Sequence, residues 1–236
     1  MRYQNVKHLF FDLDHTLWDY DRNSANTLTQ LYKSFELEKL GLFPLERFID
    51  SFHKANLKVW SFFDENSMNR HQLRNKRLEL VFEDFGLENQ IIDTFHDQYY
   101  ELCSRSTHLM EGAIEILELL KPNYELHIVT NGFDDAQYNK LEYSGLHTYF
   151  KTVITSEAAG SKKPDKEYFD FALQKAKASK ENSVIIGDGL RTDVAGAIQY
   201  GLEVIWFNDA GKICPYPNVL EIKSLRELIP LLGIQN

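Results

Sequence analysis

Cysteine is scarce in this sequence, with two residues, Cys103 and Cys214, in 236. Both read as reduced thiols, and a thiolate metal centre needs more ligands than they supply. Long apolar runs are missing as well. The N-terminal stretch MRYQNVKHLFFDLDHT meets aspartates early and offers neither a signal peptide nor a membrane-spanning helix. The expectation is a cytoplasmic protein with no membrane partner. Basic charge is in deficit: Lys and Arg number 26 against 35 Asp and Glu, a formal net charge of −9. That argues against a nucleic-acid polymer as partner. It leaves room for a small anionic substrate, because a metal ion or one local lysine can reverse the sign of a site. The chain also lacks internal repeats and low-complexity segments. Its 43% apolar and 26% charged residues are ordinary for a globular protein. Its length suits one domain, or one domain with an insertion.

Two textures alternate along the chain. Short runs rich in Val, Ile or aromatic residues occupy 8–12 (HLFFD), 125–131 (ELHIVTN), 151–156 (KTVITS), 182–188 (NSVIIGD) and 202–208 (LEVIWFN). Each closes on a small polar or acidic residue, as buried parallel strands do. Helical patterns lie between them. Residues 111–122 stop at Pro122, 134–145 end at Gly145, 164–178 open with Pro164 followed by acids, and 191–201 end at Gly201. Strand–helix alternation over 106–236 predicts an α/β fold, a doubly wound, Rossmann-like parallel sheet.

Residues 18–105 differ. They carry four amphipathic helical patterns, at 23–41, 44–66, 67–86 and 88–106, with Gly41 and Gly86 between some of them. No convincing strand interrupts them. This insertion is far longer than an ordinary connection. It follows the C-terminal end of the first strand, where such sheets bind ligands. Residues 1–17 and 106–236 therefore read as a catalytic core, and 18–105 as an all-helical cap.

The stretch FFDLDHTLWDY (10–20) drives an apolar run into Asp12 and Asp14. Two carboxylates at the end of a buried strand repel each other and lose hydration, which is costly unless a cation or a reaction uses them. Other strands end in reactive groups too: Thr130, Asn131 and Gly132 after the second, Lys163 after the third, Asp188 and Asp193 after the fourth. A parallel sheet gathers all of these at one edge. Asp12, Asp14 and Asp188 offer hard oxygen ligands suited to Mg²⁺. Thr130 adds a hydroxyl, the Asn131–Gly132 turn adds backbone N–H groups, and Lys163 adds a compact positive charge. Such a set describes phosphoryl transfer from a small phosphorylated substrate. Asp12 is the natural nucleophile. Asp14, on the same side by strand-like spacing, is the natural acid and base. Thr16 reads as a residue that holds the turn.

Taken in order, DLDHT, VTNG, KKPD and GDGLRTD resemble the four motifs of the haloacid dehalogenase superfamily, whose members are mostly Mg²⁺-dependent phosphatases. The helical insertion resembles that superfamily's C1-type cap. WDYD after the first motif and TNGF at the second most resemble the YjjG-like pyrimidine 5′-nucleotidases, with N-acylneuraminate-9-phosphatases nearby. The resemblance implies Asp12 as nucleophile and Mg²⁺ ligand. It implies Asp14 as acid/base, with its backbone carbonyl on the metal. Thr130 and Lys163 become phosphate ligands, Asp188 a Mg²⁺ ligand, and Asp193 an acid that positions metal waters or the lysine. One departure is Gly189, where serine is more usual.

The reading that follows is a Mg²⁺-dependent phosphomonoester hydrolase acting through an aspartyl-phosphate on nucleoside 5′-monophosphates, as a monomer or homodimer. Its competitors are a phosphatase of a sugar phosphate or phosphoglycolate, a phosphosugar mutase, a dehalogenase and a non-catalytic binding module. The GDxxxxD form of the fourth motif favours a phosphatase over a mutase. A dehalogenase has no leaving oxygen to protonate and lacks an acid at the position of Asp14. A module that had lost catalysis would be expected to lose a nucleophile or ligand. Elsewhere, Arg70, Arg74 and Arg77 form a stripe at helical spacing that reads as a solvated basic face. Trp18, Tyr20, Trp60, Phe62 and Phe63 could stack on a base; Trp18 and Tyr20 are best placed, though aromatics at helical spacing are mostly core.

Overall fold

Apolar runs of four or five residues become strands because both sheet faces are covered. The computed structural model describes residues 3–40, 44–64, 70–83 and 92–234. Its strands are β1 (His8–Phe11), β2 (Glu125–Val129), β3 (Thr152–Ile154), β4 (Ser183–Gly187), β5 (Glu203–Phe207) and β6 (Leu220–Ile222). They form one parallel sheet in the order β3-β2-β1-β4-β5-β6. β6 was not expected. Three residues are too few to show an alternation, and Pro215 and Pro217 precede them. Pairing with β5, from Ile205 opposite Leu220 to Phe207 opposite Ile222, makes it a strand.

The chain divides into two compact units, residues 1–20 with 107–236, and residues 21–106. Ten helices are described in chain order. They are α1 (Tyr20–Ser34), α2 (Leu45–Asp64), α3 (Arg70–Glu83), α4 (Ile92–Ser104), α5 (Ala113–Leu120), α6 (Asp134–Tyr143), α7 (Ser156–Ala159), α8 (Lys166–Ala176), α9 (Ala195–Tyr200) and α10 (Leu228–Leu231). In the first unit, Phe10, Val129, Ile185 and Trp206 of the sheet pack with Tyr168, Phe169 and Ala172 of α8. The expected helix over 191–201 is split. A wide π-type turn, Leu190–Val194, precedes α9. The two chain crossings next to the second unit pair with each other. Asp19 N donates to His108 O at 3.1 Å, and Met110 N to Leu17 O at 2.9 Å.

The second unit contains helices α2–α4 and most of α1, and no strand among its described residues. Its core is aromatic. Phe95 meets Phe48 and Phe82 edge-on at 5.8 and 6.0 Å between centroids. Arg77 corrects the expectation of a solvated basic face. It is 6% exposed. It donates to Asn56 Oδ1 at 3.1 Å and lies 4.9 Å from the ring centres of both Phe52 and Tyr99. Aromatic faces and one amide take the place of water around its guanidinium. The side chains of Arg70 and Arg74, and the expected turns at Gly41 and Gly86, lie outside the described residues. Neither cysteine is in a disulfide. Among the described residues no helix is long and apolar enough to cross a membrane.

Candidate active site

The C-terminal ends of β1, β2 and β4 and the loop after β3 meet around one lysine. β1 extends by one rung, Asp12 N donating to Ile186 O at 2.8 Å, and the chain then turns sharply. The carbonyl of Leu13 accepts from the N–H groups of Thr16, Leu17 and Trp18, and His15 adopts a left-handed φ of 62°. Thr16 is buried inside this turn. Its Oγ1 accepts from Asp188 N at 3.1 Å, tying the end of β1 to the end of β4. The structural role expected for Thr16 is the one seen.

Lys163 is 1% exposed. Its ammonium donates to Asp12 Oδ1 at 2.6 Å, Asp193 Oδ1 at 2.6 Å and Val129 O at 2.8 Å. Those three bonds use all its donors. Burial alone would lower the Lys163 pKa, but Asp12 and Asp193 outweigh it and hold the group charged. Burial pushes the Asp12 carboxyl up to about 7, Lys163 pulling the other way and Asp193 adding to the rise. The backbone of Lys163 is also clamped. Asn131 Oδ1 accepts from Lys163 N at 2.8 Å, and Asn131 Nδ2 donates to Lys163 O at 2.9 Å. The Asn131 side chain thus fixes the lysine loop.

A second cluster surrounds Asp14. Lys140 Nζ lies 2.7 Å from both of its carboxylate oxygens, and Gln137 Nε2 donates to Oδ2 at 3.1 Å. Burial works to raise the Asp14 pKa. The charge of Lys140 and the hydrogen bonds from Lys140 and Gln137 prevail and lower it. Gln137 Nε2 also donates to Thr130 Oγ1 at 2.6 Å, and Gly132 N donates to the same oxygen at 3.0 Å. Both acceptor positions of the Thr130 hydroxyl are then taken, and its hydrogen is what it can offer a ligand. The expected free N–H at Gly132 points instead at Thr130. A Cβ at Gly132 would lie 1.9 Å from Gln137 Nε2, so a side chain there would displace Gln137 from its present contacts.

Gln137 and Lys140 were not foreseen. They lie three apart on α6, share its buried face with Leu141 and project to the sheet edge. The readable signal was a glutamine and a lysine on the inward stripe of a helix that starts directly after VTNG. Trp18, a favoured stacking candidate, is fully buried, its ring centre 4.7 Å from Lys140 Nζ. It acts as a floor for the lysine rather than an open platform.

At the end of β4, Asp193 Oδ2 accepts from Gly189 N at 3.0 Å, so both Asp193 oxygens are used on the protein. A side chain at Gly189 would require its neighbours to shift. A Cβ there would fall 2.2 Å from Thr192 Oγ1 and 2.8 Å from Asp193 Oδ2. Burial drives the Asp188 carboxyl well above its usual value, with Asp12 and then Asp193 adding to the rise.

The donor set fits a hard divalent cation. Asp12, Asp188 and Asp193 have ligand oxygens within 4.8 Å of one another. Counting Asp14, four carboxyl groups face two ammonium groups, Lys163 and Lys140, and a divalent ion would supply the countercharge that lets the raised Asp12 and Asp188 carboxyls ionise. The structure groups the Asp193 carboxylate, not that of Asp14, with Asp12 and Asp188; Asp193 is nonetheless committed to Lys163 and Gly189.

Residues 9–207 match the family model for haloacid dehalogenase-like hydrolases. The chain is 32% identical to the HAD-hydrolase YfnB of Bacillus subtilis over 97% of its own length and 96% of that protein's. The crystal structure of YfnB bound to magnesium superimposes with a TM-score of 0.87, covering 98% of this chain and 100% of that one. It is 33% identical to the pyrimidine 5′-nucleotidase PynA of Streptococcus pneumoniae, covering 86% of this chain and 84% of that protein. Identity to the pyrimidine 5′-nucleotidase YjjG of Escherichia coli is 30%, covering 95% of this chain and 96% of that protein. Sheet order, strand-end carboxylates and these relatives agree, and the chain belongs to the haloacid dehalogenase-like hydrolases.

Proposed function

We propose that this chain is a phosphomonoester hydrolase that forms an aspartyl-phosphate on Asp12 and takes pyrimidine-type nucleoside 5′-monophosphates as substrates. One observation carries the chemistry. A buried carboxylate, Asp12, lies 2.6 Å from a buried ammonium, while a second carboxylate, Asp14, is held apart on its own partners. Two carboxylates in distinct environments can serve as nucleophile and as acid/base.

Asp12, Asp188 and the backbone carbonyl of Asp14 would hold Mg²⁺, which when bound neutralises phosphoryl oxygens and orients the ester. Asp12 attacks phosphorus in line. Lys163, hydrogen-bonded to the attacking carboxylate, offsets its repulsion with the anionic phosphoryl group. The Thr130 hydroxyl donates its hydrogen to a phosphoryl oxygen. The bond to the leaving oxygen breaks as Asp14 gives that oxygen a proton. Asp14 then takes a proton from water, the water attacks the aspartyl-phosphate, and phosphate leaves with Asp12 restored as a carboxylate. Asp193 and Asn131 keep Lys163 in place throughout. The helical unit, inserted directly after β1, acts as the cap that selects the leaving group and limits water. The pyrimidine assignment is supported by the two relatives of that name and by WDYD and TNGF in the sequence.

The test is phosphate release from UMP, dUMP, dTMP, purine monophosphates, phosphoglycolate, hexose phosphates and a sialic acid 9-phosphate. Each is run with Mg²⁺ and with EDTA, with Asp12→Asn as the blank. Metal-dependent release that peaks on the pyrimidine monophosphates is the expected outcome. A peak on the sugar phosphates would keep the chemistry and replace the substrate. No release from any member would overturn both.

A further inference from the structure

At the N-terminal edge of the sheet, away from the strand ends that carry Asp12 and Thr130, three ligating side chains share one face. Register explains why. β1 and β2 pair with His8 opposite Glu125 and Phe10 opposite His127. Residues two apart on a strand point to the same side. His8 therefore faces Glu125 directly and His127 diagonally. Ligand atoms of the three residues lie within 4.8 Å of one another. His8 Nδ1 is 3.1 Å from His127 Nε2 and 3.5 Å from Glu125 Oε2. Around a tetrahedral zinc ion with ligand bonds of about 2.0–2.1 Å, neighbouring donor atoms stand about 3.3 Å apart. The two separations bracket that value.

The surroundings suit a metal ligand set. On its far side His127 Nδ1 lies 2.7 Å from Thr152 Oγ1, its cross-strand neighbour on β3. A proton on Nδ1 bonded there leaves the Nε2 lone pair facing His8, the orienting arrangement common behind metal-bound histidines. Phe10 stacks on His127 at 4.6 Å between ring centroids and His8 stacks at 5.4 Å, which restrains the ring planes. His8 is 7% exposed and His127 fully buried, so the uncharged, ligating form of each ring is favoured. Glu125 is half-exposed, giving an ion a route in. Its other oxygen, Oε1, accepts from Lys151 Nζ at 2.6 Å.

We propose that His8, Glu125 and His127 form a binding site for a divalent transition ion of the zinc class, with water completing the coordination, which clips β1 to β2. Imidazole nitrogens favour such ions over Mg²⁺, so the site is chemically distinct from the carboxylate cluster at the other edge.

Co²⁺ is the probe. Four-coordinate Co²⁺ with imidazole ligands absorbs strongly in the visible, whereas Co²⁺ among carboxylates and water absorbs weakly. Titrating the full-length chain with Co²⁺ in excess Mg²⁺ should develop strong bands that Zn²⁺ abolishes, and Zn²⁺ should raise the melting temperature. His8→Gln and Glu125→Gln should each weaken binding by at least about tenfold, since even residues behind metal ligands are worth that much. Asp188→Asn should leave the bands intact. Glu125 is at the surface, so Glu125→Gln keeps the test decisive if His8→Gln folds poorly. Absence of strong bands in the unmodified chain overturns the proposal. So does an unchanged Co²⁺ affinity in Glu125→Gln, or loss of the bands in Asp188→Asn.

Discussion

Lys140 Nζ stands 2.7 Å from both carboxylate oxygens of Asp14 and 4.7 Å from the centre of the Trp18 ring. This clamp favours ionised Asp14, whose pKa lies below its usual value despite burial. An ionised carboxylate is ready to take a proton from water and poorly prepared to give one to a leaving oxygen. In the mechanism proposed above, the pair therefore favours the second half-reaction over the first.

Removing the clamp should show this. In Lys140→Met the Asp14 pKa rises, so at any given pH a smaller fraction is ionised. The acidic limb of the pH–rate profile should move up by roughly one unit or more, within the range a neighbouring charge commands. Lys140→Arg should keep the limb near its original position. The measurement is kcat against pH for all three proteins, and an unmoved limb in Lys140→Met would contradict the role.

Asp14→Asn should slow turnover of a nucleoside monophosphate roughly 10²–10⁴-fold, the range for a lost general acid or base. In single-turnover phosphorylation the loss should shrink with a nitrophenyl ester, whose leaving group needs little protonation. Equal losses with both esters would remove Asp14 from the first step.

Lys163→Met should destabilise the fold by about 3–5 kcal/mol, because it leaves Asp12 and Asp193 buried without their cation. Urea unfolding measures it. Adding Asp193→Asn should recover part of the loss, since one uncompensated charge is removed. Additive losses in the double variant would show that Asp193 does not depend on the lysine.

His127 gives a pH dependence of stability with a definite sign. Burial lowers its pKa to about 4, with the neighbouring His8 adding to the effect. Between that value and the usual histidine range the unfolded chain binds a proton that the folded chain refuses. This group's contribution is complete above about pH 6.5 and is lost as pH falls towards about 4, by roughly 3 kcal/mol at most. Melting curves recorded with EDTA should fall through that window, and His127→Gln should flatten the fall. An equal fall in both proteins would place its cause elsewhere.

Much of this is legible in the sequence. Apolar runs with small polar ends marked five of the six strands, because a strand covered on both faces must be apolar throughout. DLDHT, VTNG, KKPD and GDGLRTD follow strands, and a parallel sheet brings strand ends together, so Asp12, Thr130, Lys163 and Asp193 could be placed at one edge from order alone. β6 was missed because pairing, not pattern, makes three residues a strand. Arg77 was misread because a cation at helical spacing does not announce that aromatic rings of two other helices enclose it.

The chain by itself determined the alternation, the sheet class and the chemical identity of the strand-end groups, since these depend on local periodicity and residue type. Only the tertiary structure decided who partners whom. It put Lys140 and Gln137 on Asp14, turned Asn131 to the lysine backbone, closed Gly132 N onto Thr130 and set His8, Glu125 and His127 on one face. The reason is physical. A side chain's charge state and hydrogen bonds depend on distances of a few ångströms between segments far apart in sequence, and those distances exist only once the sheet has its order and register.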